Sequence, residues 1–139
     1  MPLELVVDAN ILFSALLAKG MTRALIFNSQ LKLYAPEYLL TEFNEHLQTD
    51  EEIRMKLRQT KEETDCVVHE LLHNIEITPL TDYRHLIEKA LEISPDEFDS
   101  IYFALALHLR IPLWSNDKRL KNQSVVKVFN TREVLNMLR

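Results

Sequence analysis

Three carboxylates in this 139-residue chain stand where chemistry is done in open α/β sheets, in which ligands bind beyond the carboxyl ends of the strands. Asp8 follows the apolar run Leu3 to Val7, with Asn10 two residues on. Asp117 follows Pro112 to Trp114, preceded by Ser115 and Asn116, and Asp99 lies in the second turn of an otherwise apolar helix. Glu42 is a fourth candidate, on a helix whose apolar stripe is Leu39, Leu40, Phe43 and Leu47. Carboxylates converging at strand ends repel one another unless a hard divalent cation binds them, and Mg²⁺ or Mn²⁺ prefers oxygen ligands. Such an ion acidifies a water and neutralises charge on a phosphodiester, so the chemistry on offer is phosphate-ester hydrolysis.

Each acid also has a purely local use. Asp8 or Asn10 would cap the helix that follows, and Asp117 would start a turn. Asp96 and Glu97 belong to Ser94-Pro95-Asp96-Glu97, which reads as a capping box with proline at the first helical position. Asp99 resists such a reading, because an unpaired buried carboxylate is costly. If buried, it requires a cation.

The elements that must position these acids alternate in period. Leu3–Val7 reads as a strand and Ile11, Leu12, Ala15 and Leu16 as the face of a helix. A second helix starts near Thr22, and a strand at Leu31 to Ala35 is closed by Pro36. Glu37 to His73 reads as two or three helices, with Thr49 as an N-cap and Asp50, Glu51 and Glu52 in a first turn. Ile75 to Ile77 is a strand, and Thr81 or Asp82 caps a helix from Tyr83 to Leu91. The apolar helix runs to about Arg110, Pro112–Trp114 and Val125–Phe129 are strands, and Thr131 opens a last short helix. Strands alternating with helices imply one domain over residues 1–139, with a parallel sheet covered on both faces.

Composition narrows the function further. The chain holds one glycine where average usage of about 7% would supply roughly ten, so a Walker loop, a GxGxxG turn and a glycine-rich linker are excluded. Gly20 is expected to end the first helix in a left-handed conformation. The single cysteine, Cys66, has no internal disulfide partner, and no signal segment opens the chain, so a cytoplasmic setting is expected. The longest nearly apolar run, Ile101 to Leu109, is about half of a bilayer crossing. Net charge is −5, but six basic side chains against two acids from Asp117 on leave +4 there and −9 in the preceding 116 residues. A basic strip of this kind can meet phosphates while the acids hold metal.

The stretches VVDANILFSALL (Val6 to Leu17), PEYLLTEFNEHL (Pro36 to Leu47), PDEFDSIYFALALHLRIPLWSNDKRL (Pro95 to Leu120) and the closing VFNTREVLNML together resemble the PIN-domain nucleases, in particular small prokaryotic toxin-like members related to VapC. The resemblance implies a three-layer α/β/α, Rossmann-like fold with a mostly parallel central sheet and a metal-dependent ribonuclease site. It implies that Asp8, Glu42, Asp99 and Asp117 form an acidic quartet, that Asp96 is an additional acid, and that Asn10 and Ser115 orient ligand or water. It further implies attack of activated water on RNA leaving 5′-phosphate and 3′-hydroxyl ends, a homodimer, and a small antitoxin partner. Lys118, Arg119, Lys121 and Arg23 are candidates for phosphate contacts. The segment Asp50 to His73 departs most from the shorter relatives.

A rival motif is present. His69-Glu70-Leu71-Leu72-His73 matches HExxH on a helix, the spacing of a zinc metalloprotease, with Glu88 or Glu92 as the nearest choices for a third ligand. No HxxGxxH extension follows it. A domain that binds RNA or a protein without cutting is the other alternative to a nuclease.

Overall fold

A computed structural model of the chain describes residues 2–49, 51–56 and 60–138. Five strands, β1 (Leu3–Val7), β2 (Leu31–Pro36), β3 (Ile75–Thr78), β4 (Leu113–Trp114) and β5 (Val128–Phe129), form one sheet in the order β3-β2-β1-β4-β5. Every pairing is parallel, with Val6 opposite Tyr34 on one side and Val7 opposite Trp114 on the other. β1 is the central strand, and Leu5, Val6 and Val7 are fully buried, as a strand covered on both faces requires. The strand order reverses between β1 and β4, which is where an open parallel sheet leaves a crevice at its carboxyl edge.

The helices are α1 (Ala9–Leu17), α2 (Met21–Ile26), α3 (Tyr38–Thr49), α4 (Glu51–Lys56), α5 (Lys61–His73), α6 (Ile87–Ile93), α7 (Ser100–Leu109) and α8 (Thr131–Met137). α7 lies against β1, β2 and β4, and its buried run from Tyr102 to Ala106 explains why it is apolar almost all round. α1 packs with α2, α3 and α5. Phe13 of α1 stacks on Phe43 of α3 with ring centroids 4.5 Å apart, which fixes the helix that carries Glu42 against the helix that follows Asp8. No described helix is long and apolar enough to cross a membrane.

Several local expectations are corrected. Gly20 is extended (φ −130°) and precedes α2, while the left-handed residue is Arg110 (φ 59°), which ends α7. The Ser94 to Glu97 capping box does not form. The Ser94 hydroxyl turns to the Asp96 carbonyl, and Asp96 itself accepts the Phe98 N–H at 3.0 Å, capping a 3₁₀ turn over Glu97–Asp99. A true capping box appears instead at Asn130 and Glu133, opening α8. The helix expected from Tyr83 to Leu91 begins only at Ile87, as α6, after 3₁₀ turns at Leu80–Asp82 and Arg84–Leu86, with Tyr83 drawn fully into the core between them. Thr49 closes α3, its hydroxyl donating to the Glu45 carbonyl, and Asp50 lies outside the described residues. β5 is shorter than expected because the Gln123 amide oxygen accepts the N–H groups of Val125 and Val126, both at 2.9 Å.

Candidate active site

Asp8 is the first residue beyond β1 and is only 4% exposed. Its extended backbone (φ −95°, ψ 171°) makes it the N-cap of α1, and its Oδ1 accepts the Ile11 N–H at 3.0 Å. Capping consumes part of one oxygen, and the charge remains expensive to bury. Burial pushes its carboxyl up to about 6, with Asp99 and Glu42 adding to the rise and hydrogen bonds from Ser115 and the Ile11 N–H opposing it. Ser115 follows β4, is 1% exposed, and also accepts the Asp117 N–H at 3.1 Å, so one hydroxyl ties the two strand-end acids together.

Asp99 sits at the entrance of α7 rather than in its second turn, because the chain enters that helix through the 3₁₀ turn. Its side chain makes no capping hydrogen bond, which leaves the carboxylate free for the crevice. Half-burial raises it to about 6, reinforced by Asp96, Asp117 and Glu42 and opposed by Arg119. The Arg119 guanidinium eases that charge only in part, and the carboxyl remains raised.

Glu42 comes from α3, and its Oε1 accepts the Tyr102 hydroxyl at 2.6 Å. Tyr102 was not singled out in the sequence, although it lies three residues after Asp99 on the same face of an otherwise apolar helix, which is the signal that could have found it. Burial, with Glu42 beside it, drives the Tyr102 hydroxyl far above its ordinary value, so it is a permanent donor that holds Glu42 in place. Asn116, in the sequence only a neighbour of Asp117, has a positioning part as well. Its Oδ1 accepts both the backbone N–H and the hydroxyl of Thr131, at 2.9 and 3.1 Å, anchoring the loop that carries Asp117 to the start of α8.

Asp117 caps the 3₁₀ turn Lys118–Lys121, accepting the Arg119 N–H at 3.0 Å. The Arg119 guanidinium grips it with Nε at 3.1 Å and Nη2 at 2.8 Å, and this pairing holds the Asp117 carboxyl below its ordinary value. Asp96 faces the same guanidinium, 3.8 Å from Nη1. The structure thus brings Asp8, Glu42, Asp96, Asp99 and Asp117 into one electrostatically coupled group at the switch point of the sheet.

Other expected site residues are placed differently. Asn10 is exposed in the first turn of α1 with no hydrogen bond to the acids among the described residues. Arg23 donates from Nε to the Ala15 carbonyl at 2.7 Å and from Nη2 to the Leu16 carbonyl at 2.9 Å, closing the C-terminus of α1 instead of offering its charge to a ligand. Lys121 pairs with Glu133, and Lys118 is exposed. His69 and His73 line a shallow depression of about 330 Å³ with Phe27, Glu70 and Asn74. No third ligand joins them, since no group of three His, Cys, Asp or Glu side chains among the described residues is already gathered around an ion-sized space. The acids at the crevice are likewise not gathered around such a space among the described residues. Their all-oxygen donor set nevertheless fits a hard cation, and the two raised carboxyls are those whose burial such a charge would relieve.

Among curated proteins no sequence is significantly similar to the chain. Two solved structures share the fold. One is PAE2754 from Pyrobaculum aerophilum, at a TM-score of 0.66 and 16% identity, over 98% of this chain and 89% of that one. The other is VapBC2 from Rickettsia felis bound to a DNA fragment from their promoter, at 0.64 and 17%, over 92% of this chain and 98% of that one. The PIN-domain family model matches residues 6–139, from the strand that delivers Asp8 to the end of the chain, so this protein belongs to the PIN-domain family.

Proposed function

We propose that residues 1–139 form one catalytic domain that hydrolyses RNA phosphodiester bonds with Mg²⁺ or Mn²⁺, as the toxin of a toxin–antitoxin pair. PIN domains are in general nucleases, which makes phosphodiester hydrolysis the starting expectation. The observation that carries the reading is the coupled pair Asp8 and Asp99, two carboxyls raised to about 6 by burial and by their acidic neighbours at the strand-order reversal. A divalent cation held there by Asp8, Asp99 and Asp117, with Asp96 alongside, would supply Lewis-acid charge and an acidified water.

The chain's own residues do the rest. With both carboxyls raised to about 6, positive charge at the crevice would favour the form in which Asp8 and Asp99 are ionised together. Ser115 orients Asp8, and Tyr102 keeps Glu42 aimed at the crevice to position or accept a proton from water. Lys118 is exposed beside Asp117 and provides a backbone phosphate contact. Hydrolysis by water needs no covalent intermediate and would leave 5′-phosphate and 3′-hydroxyl ends.

The likeness to VapBC2 supports a small antitoxin partner; action in the cytoplasm as a homodimer belongs to the same proposal and rests on the family resemblance of the sequence. The test is cleavage of single-stranded RNA in Mn²⁺ or Mg²⁺, comparing wild type with Asp8→Asn. Cleavage that disappears in the variant and on chelation is expected. Equal cleavage by both overturns the site assignment, and RNA binding without cleavage in either metal points to a non-catalytic module.

A further inference from the structure

Arg119 is placed where a basic residue meant only for substrate would not be. Its backbone N–H and its Nε both donate to Asp117 Oδ1, at 3.0 and 3.1 Å, while Nη2 donates to Oδ2 at 2.8 Å. Its third nitrogen, Nη1, faces Asp96 Oδ2 at 3.8 Å, and Asp96 uses its other oxygen to cap Phe98. The guanidinium therefore spans the crevice from the end of β4 to the turn that enters α7, and its charge reaches Asp99 as well. The Arg119 side chain is 66% exposed, so water screens the contact and little holds it shut.

We propose that Arg119 is the resident counter-cation of the acidic cluster, occupying Asp117 and Asp96 in the metal-free protein, displaced from them by a divalent cation, and released onto an RNA phosphate. This rests on the metal-dependent reading above. The guanidinium fork takes one lone pair on each Asp117 oxygen and sets a positive charge beside them, which opposes the approach of an ion to the same carboxylate, so the two cations compete for Asp117. An arginine stays charged under all relevant conditions, and its fork matches a phosphate as well as a carboxylate. Release therefore exchanges one anion for another at the place where the substrate backbone must lie. The arrangement keeps Asp117 and Asp96 compensated without metal and supplies a phosphate contact only once metal is bound.

The test uses Arg119→Gln and Arg119→Lys in the full chain, with circular dichroism to establish that each folds. Mn²⁺ titrated calorimetrically without RNA should bind Arg119→Gln about fivefold tighter than wild type, with Arg119→Lys between them. In saturating Mn²⁺, a cleavage-resistant single-stranded RNA should bind Arg119→Gln more weakly, and the slope of log affinity against log salt should fall by about one. Opposite signs in the two measurements are the signature, since a merely structural arginine would leave Mn²⁺ affinity alone. Equal Mn²⁺ affinity in variant and wild type overturns the inference and leaves the metal-dependent nuclease intact. Undiminished RNA binding overturns the release onto phosphate, and absence of Mn²⁺ binding in every protein overturns both this inference and the metal-dependent reading.

Discussion

Asp8 and Asp117 follow neighbouring, hydrogen-bonded strands and do the same local job, each accepting a backbone N–H of the turn it opens at 3.0 Å. Their electrostatics are nevertheless opposite. Asp8, buried against Ser115 with two acids nearby, is raised to about 6, whereas Asp117, gripped by Arg119 at the rim, is lowered. A helix-capping motif therefore says little about the charge state of the residue that makes it. Desolvation governs the floor of the crevice and a neighbouring cation governs its rim. The floor is the half that stands to gain from an added ion, and the rim is the half that must first give up the one it has.

The largest break in this comparison comes from Asp8→Asn. Asparagine also caps helices, so α1 persists, but the floor loses its charge. RNA cleavage in Mn²⁺ should fall at least a hundredfold, while denaturant unfolding of the metal-free protein at neutral pH should show a gain of about 1–3 kcal/mol, because an uncompensated buried carboxylate has been removed. Loss of both activity and stability would mean that Asp8 is chiefly a structural cap.

Tyr102→Phe should act next in size. It removes the 2.6 Å hydrogen bond to Glu42 without opening a cavity, so cleavage should fall about tenfold and stability by about 1 kcal/mol. Unchanged kcat would show that Glu42 needs no such support.

The pH dependence of the metal-free fold sharpens the contrast. Asp8 and Asp99 hold protons more tightly folded (about 6) than unfolded (near 3.8), so their contribution to stability falls as pH rises from about 4 to 6 and is level above that. Asp117 has the opposite sign, contributing stability above its ordinary range that is lost as pH falls through its lowered folded value. Unfolding free energies across pH 3 to 8 should show the first slope, and Asp8→Asn should remove part of it. Mn²⁺ should abolish the penalty above pH 6. The smallest effect is expected from Lys118→Ala, a slightly weaker RNA affinity and a salt slope lower by about one.

Much of this architecture was legible along the chain because period and strand-end position are local properties. β1, β2 and β3 fell within a residue or so of expectation, as did the buried character of α7. What failed were choices between equivalent local partners. Ser94 and Asp96 could each cap the turn before α7, and Asp96 took it; Gly20 suits a left-handed cap, but the chain places that conformation at Arg110. Arg23 and Arg119 read alike as surface cations, and only the fold decides that one closes α1 while the other closes over the acids.

By itself, then, the sequence determined an alternating α/β chain with acids at strand ends and no glycine cradle for phosphate, since those follow from residue type and spacing. The tertiary structure decided which acids share a field, which is desolvated and which is already paired. Those properties depend on distances between residues far apart in the chain: Glu42 to Tyr102, Asp96 to Arg119, and Asp8 to Ser115. Charge–charge coupling and burial are set by separation in space, which no local pattern encodes.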